Sequence, residues 1–265
     1  MWVNMEITFK KLDEEISDIM KPAREVVKWI LNSNHNILSI FSEVLLNCKT
    51  YTNQTFVDKK IVKRINEYKD LYTDITDEIE KLAYVMWAYF SYIDDVNFDL
   101  KIRTTQNYYG DLKTEQKKLN KLRGTLFEVL VEEIIKPRYK DAKFGTGCML
   151  VINNDKVILE YNNKTRKTID VAGIENKKGE FYECKLSPKV LDESSYMYLC
   201  LLENKLRTDN NFKYIIGYIS LEEKEAVENK KSQIENSLNI KNPKIAVFGN
   251  SEILQLRELP DEIAI

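Results

Sequence analysis

In "GEFYECKLSP", residues 179–188, Glu183 and Lys185 stand two apart in a segment that otherwise reads as a strand. Strand side chains alternate between faces, so this spacing puts both charges on one face, together with Phe181. Tyr182, Cys184 and Leu186 then face the other way. Similar Glu-x-Lys pairs at Glu67/Lys69 and Glu203/Lys205 lie on predicted helices. There a two-residue step turns side chains apart by about 200°, and they cannot converge.

A second carboxylate, Asp170 in "KTIDVAGI", is embedded in a predicted strand of its own. The turn "ENKKG", pivoting near residues 176 to 178, pairs that strand antiparallel with the one carrying Glu183. Asp170 and Glu183 then fall about equally far from the turn and become near cross-strand neighbours. Two half-buried carboxylates so placed repel unless a cation lies between them. Oxygen-only ligands suit Mg²⁺ or Mn²⁺ better than zinc. A third acid, Glu128, follows Gly124 by one helical turn in "RGTLFEVLVEEII". Helical side chains lean toward the N-terminus, so Glu128 projects over a position without a side chain, leaving room for an ion or a phosphate.

Taken in order, Gly124-x-x-x-Glu128 on a helix, Asp170, and Glu183-x-Lys185 resemble the PD-(D/E)XK nuclease superfamily, whose fold is restriction-endonuclease-like. The resemblance covers about residues 112 to 250; Ile169 stands where the family's name has proline. It implies that Asp170 and Glu183 are metal ligands, with the backbone carbonyl of Cys184 between them and Glu128 auxiliary, directly or through water. Lys185 would orient or help deprotonate the attacking water, or stabilise the pentavalent phosphate. The implied cofactor is Mg²⁺, for which Mn²⁺ would substitute. The plain alternative for Glu183 and Lys185 is a surface ion pair, worth about 0–1 kcal/mol.

The elements that must position these residues come from the rest of the chain. All eight glycines lie at or after Gly110. Residues 1–110 are expected to be an all-α helical region, from apolar steps of three and four in stretches such as "ITDEIEKLAYVMWAYFSYI". Residues 111–265 are expected to form the nuclease-type domain. A long helix ends before Pro137, a hairpin turns around residues 153 to 155, and helices then alternate with strands to the end. The fold class is α/β, a mixed central sheet flanked by helices.

Basic residues flank the candidate helix. Lys121 and Arg123, with Lys117, Lys118, Lys136, Arg138, Lys140 and Lys143 nearby, could track a phosphate backbone, as could Lys189 after the site strand. Such runs are also ordinary solvated faces. Tyr196 and Tyr198 could stack on bases or fill the core. The net charge of −2 favours no nucleic-acid partner by itself, because a groove concentrates charge locally. Four scattered cysteines and the lone His35 argue against a zinc site, a disulfide framework or a histidine triad. No apolar run spans a bilayer and the start carries charges, so a cytoplasmic protein is expected.

The expected function is a metal-dependent endonuclease hydrolysing DNA phosphodiester bonds, as a type II restriction enzyme or phage-defence nuclease. RNA stays open as a substrate. The N-terminal helices would dimerise the chain, recognise DNA or receive a partner protein. The alternative is a catalytically silent nuclease-fold subunit for nucleic-acid binding or assembly.

Overall fold

The computed structural model describes residues 5–11, 17–52, 55–94, 112–139, 143–240 and 243–258. The chain divides into two compact units, 14–130 and the combination of 1–13 with 131–265. Gly110 and the boundary expected beside it lie outside the described residues.

The unit of residues 14–130 is helical where described. Helices α1 (Ser17–Leu31), α2 (His35–Asn47), the short α3 (Lys63–Asn66), α4 (Thr76–Phe90) and most of α5 (Leu112–Ile135) build it. Asn34 caps α2, its side chain accepting from the amide of Asn36, and His35 is simply the first residue of that helix. The apolar steps put Val27, Ile30, Phe41, Leu45, Ile79, Met86, Leu126 and Phe127 in the core, each no more than 1% exposed.

The other unit is mixed α/β. Its strands are β1 (Ile7–Lys11), β2 (Phe144–Ile152), β3 (Asp155–Lys156), β4 (Leu159–Tyr161), β5 (Lys164–Arg166), β6 (Ile169–Glu175), β7 (Lys178–Lys185), β8 (Lys213–Ser220) and β9 (Ile245–Phe248). Seven of them make an open mixed sheet in the order β1-β2-β6-β7-β8-β9, with β3 paired to β2. β4 and β5 pair only with each other. The β7-β8 and β8-β9 pairings are parallel, crossed over by α6 (Glu193–Leu206) and α7 (Lys224–Leu238). Phe181, Ile216 and Tyr218 of the sheet share one buried cluster with Tyr198, Leu199 and Leu202 of α6 and Val227 and Ile234 of α7.

Two expectations are corrected here. The chain does not open with helix throughout: Ile7–Lys11 is a strand that pairs antiparallel with β2, Ile7 opposite Ile152. The segment after residue 154 is not the long return arm of one hairpin. β3 covers two residues, and the chain then folds β4 and β5 into a separate hairpin. Among the described residues, no helix is long and apolar enough to cross a membrane.

Candidate metal and phosphate site

The β6-β7 hairpin is the frame of the site. Glu175 pairs with Lys178, which leaves Asn176 and Lys177 as a two-residue loop. Both have positive φ, 50° and 63°, the conformation of a type I′ turn that matches the twist of the strands. The ladder runs from there to Val171 opposite Tyr182. The same register carried one step further would set Asp170 across from Glu183, and both acids meet Lys185. Asp170 Oδ2 also accepts from the backbone amide of Cys184 at 2.8 Å.

Lys185 spans the two acids. Its Nζ lies 2.6 Å from Glu183 Oε1 and 3.3 Å from Asp170 Oδ2. The Glu183 side chain is 1% exposed, whereas those of Asp170 and Lys185 keep 16% and 21% of their surface. The cluster thus meets solvent on the Asp170 and Lys185 side. Burial pushes the Glu183 carboxyl up to about 7, the facing Asp170 charge adding to it, against the pull of Lys185 and Arg166. Burial acts to lower the Lys185 ammonium, but Asp170 and Glu183 outweigh it and hold Lys185 well above its usual range.

One further group, which local sequence patterns did not single out, contacts Glu183, and two tyrosines feel its charge. Arg166, the last residue of β5, places NH1 3.0 Å from Glu183 Oε1. Tyr218 stands beside Glu183 in the parallel β7-β8 register. Among the described residues its hydroxyl is buried without a hydrogen-bond partner, as is that of Tyr198 from α6. Burial raises both phenols, with the Glu183 charge contributing to each. Among the described residues these two hydroxyls are thus buried polar groups without a protein partner near a buried acid.

No protein-family model matches the chain, and no curated protein is significantly similar to it.

The other expected site residues fare differently. Cys184 follows Glu183 on β7, its amide donating to Asp170 and its side chain buried. Glu128 and Gly124 are both on α5 within the helical unit, and a Cβ added at Gly124 would meet nothing within 4 Å. Glu128 contributes to raising the buried Tyr89 phenol of that same unit. Arg123 is corrected. It is 6% exposed, and its guanidinium donates to the Leu45 carbonyl, from Nε at 2.8 Å. Burial lowers it to about 10. Apolar neighbours and a backbone acceptor hold it inside the helical unit, so it is no phosphate contact. Lys118 is likewise buried, paired with Glu115 at 3.1 Å. Lys121 is half-buried on α5, and Lys189 is exposed on the turn Pro188–Val190. Lys140 lies outside the described residues. Tyr196 and Tyr198 are each 1% exposed and pack in the core, which leaves no face for a base.

A hard divalent cation fits what is present. Among the described residues, Asp170 Oδ1 and Glu183 Oε2 accept no hydrogen bond, the partner oxygens taking Cys184, Lys185 and Arg166. No group of three or more His, Cys, Asp or Glu is gathered as a cage among those residues. A cation here would draw two side-chain oxygens from the protein and the rest from backbone, water or substrate, which suits Mg²⁺.

Proposed function

We propose that the chain is a metal-dependent nuclease of the PD-(D/E)XK type, hydrolysing DNA phosphodiester bonds on a restriction-endonuclease-like fold. The observation that carries this is the junction of Asp170 and Glu183 across the β6-β7 hairpin, spanned by Lys185 two residues on. The mixed sheet with crossover helices supports it, since it presents the two acids on neighbouring strands.

Asp170, Glu183 and the Cys184 carbonyl would hold Mg²⁺ or Mn²⁺, which lowers the pKa of a bound water and offsets phosphate charge. Lys185 is kept protonated by the two acids, so its part is electrostatic. It orients the attacking water through hydrogen bonds and meets the charge that develops on the phosphate. Glu128 as auxiliary ligand, Lys121 and Lys189 as backbone contacts, and a dimer or partner through the helical unit complete the reading. A restriction or phage-defence role belongs to it as well.

A second reading has one observation in its favour. Lys185 and Arg166 already neutralise Asp170 and Glu183, as a nuclease-fold subunit that binds without cutting would also require.

Incubation with plasmid, single-stranded DNA and RNA, with Mg²⁺ or with a chelator, separates the two. The nuclease reading expects Mg²⁺-dependent cleavage, reduced by about 10²-fold or more in Asp170→Ala and Lys185→Ala with binding retained. It also expects Mn²⁺ to raise the melting temperature, and Asp170→Asn to abolish the rise. Binding without cleavage under every condition would establish the silent subunit.

A further inference from the structure

The β4-β5 hairpin brings to the site a cation that the nuclease motif does not include. Asn162 and Asn163, with φ of 48° and 60°, form its two-residue turn, and Tyr161 pairs with Lys164. The hairpin is tied to the start of α6 at three points. Tyr161 donates to Glu193 Oε2 at 3.0 Å, Lys164 Nζ reaches Asp192 Oδ2 at 3.1 Å, and Arg166 NH2 lies 3.4 Å from Asp192 Oδ1. Arg166 NH2 also donates to Ser195 Oγ. Asp192 is itself fixed as the N-cap of α6, accepting from the Ser195 amide at 2.8 Å. The guanidinium is therefore anchored at one end on α6 while its NH1 reaches Glu183.

That arrangement crowds two cations onto one atom. Lys185 Nζ and Arg166 NH1 both address Glu183 Oε1, at 2.6 and 3.0 Å. Asp170, Glu183, Lys185 and Arg166 sum to zero charge. A divalent cation on the two acids adds two positive charges beside Lys185 and Arg166, and one of them must withdraw. Among the described residues Lys185 pairs with the two acids alone, whereas Arg166 retains Asp192 and Ser195 when it leaves Glu183. Its side chain is 24% exposed, so it has room to turn outward. A phosphate arriving with the cation offers the paired oxygens that a guanidinium fork matches best.

We propose that Arg166 is a resident counter-ion of the site, occupying Glu183 until a divalent cation displaces it and then, still tethered to Asp192, binding the substrate phosphate. This rests on the nuclease reading of the Asp170–Glu183 pair and adds a positioning and phosphate-binding residue to it.

Direct titration of the full chain with Mn²⁺ by calorimetry, at about pH 8 where acids are ionised, tests the first half. Arg166→Gln should bind Mn²⁺ on the order of tenfold more tightly than the parent protein, because a competing charge is gone. Arg166→Lys keeps the charge and should stay within about threefold of the parent. For the second half, a short DNA duplex is bound in Ca²⁺ and in chelator. Arg166→Gln should weaken binding about tenfold in Ca²⁺ and leave it unchanged in chelator, where Arg166 is occupied by Glu183. A purely structural arginine would shift both conditions equally.

Equal or weaker Mn²⁺ binding by Arg166→Gln, in a protein whose Mn²⁺ binding depends on Asp170, overturns the proposal and leaves the nuclease reading standing. If the parent protein binds no Mn²⁺ through Asp170, both fall together, and the cluster is a static ion network.

Discussion

Glu183 combines near-complete burial with an unusual charge environment, and its chemistry follows from both. Burial penalises the carboxylate, and Asp170 directly opposite adds to the penalty; two cations recover only part of it. The folded carboxyl titrates near 7 against 4.5 as its ordinary value. Between those values the folded protein holds a proton that the unfolded chain has lost. Stability from this group is thus complete below about 4.5 and disappears as pH rises through about 7. The loss amounts to about 3 kcal/mol at 1.36 kcal/mol per unit. Urea unfolding without divalent cations, at about pH 5 and about pH 8, should show that difference in the parent protein. Glu183→Gln should lack it. Equal slopes in both proteins would mean that Glu183 is ionised throughout. Glu183 and Lys185 were legible from a two-residue step in an apolar strand, but the cost of burying Glu183 was not, because burial depends on what covers the face.

Turn chemistry dominates at the scale of elements. Three hairpins close through two-residue loops, Asn153–Asn154, Asn162–Asn163 and Asn176–Lys177, all at positive φ. Asparagine tolerates that conformation; lysine does so at a cost of about 1 kcal/mol. Lys177→Gly should therefore stabilise the β6-β7 hairpin by about 1 kcal/mol without moving the site, as read by chemical denaturation and unchanged Mn²⁺ response. A loss of stability would place the benefit of Lys177 in its side chain. The third of these turns was readable because it joins two long strands, and the first because its asparagines follow the long β2, although β3 beyond it covers only two residues. The second was missed because β4 and β5 are three residues each, too short for alternation to register. With that hairpin went Arg166, whose only local signal was one charge among several in "NNKTRKT".

For the whole molecule, the chain's order and its packing diverge. β1 lies at the N-terminus yet forms the edge of the sheet in the other unit, pairing with β2 more than a hundred residues later. Deleting residues 1–13 should therefore weaken the α/β unit. A drop in melting temperature on the order of 5 °C is expected, with faster amide exchange along Phe144–Ile152. The helical unit's own amides should keep their protection. Uniform loss across both units would show that the strand stabilises more than the sheet. The same long-range packing removed Arg123 from the surface, since the Leu45 carbonyl it meets is 78 residues away.

The sequence alone determined where the hairpin turns between β6 and β7, and with it that Asp170 stands across from Glu183 with Lys185 beside them. Loop length and strand alternation are local, and a register follows from them without knowledge of the rest of the fold. The tertiary structure alone decided that Arg166 reaches Glu183 and that Tyr218 stands beside it, that Arg123 turns inward, and that the first strand joins the last domain. Those contacts unite residues far apart in the chain, and neither spacing nor periodicity encodes an encounter that only packing brings about.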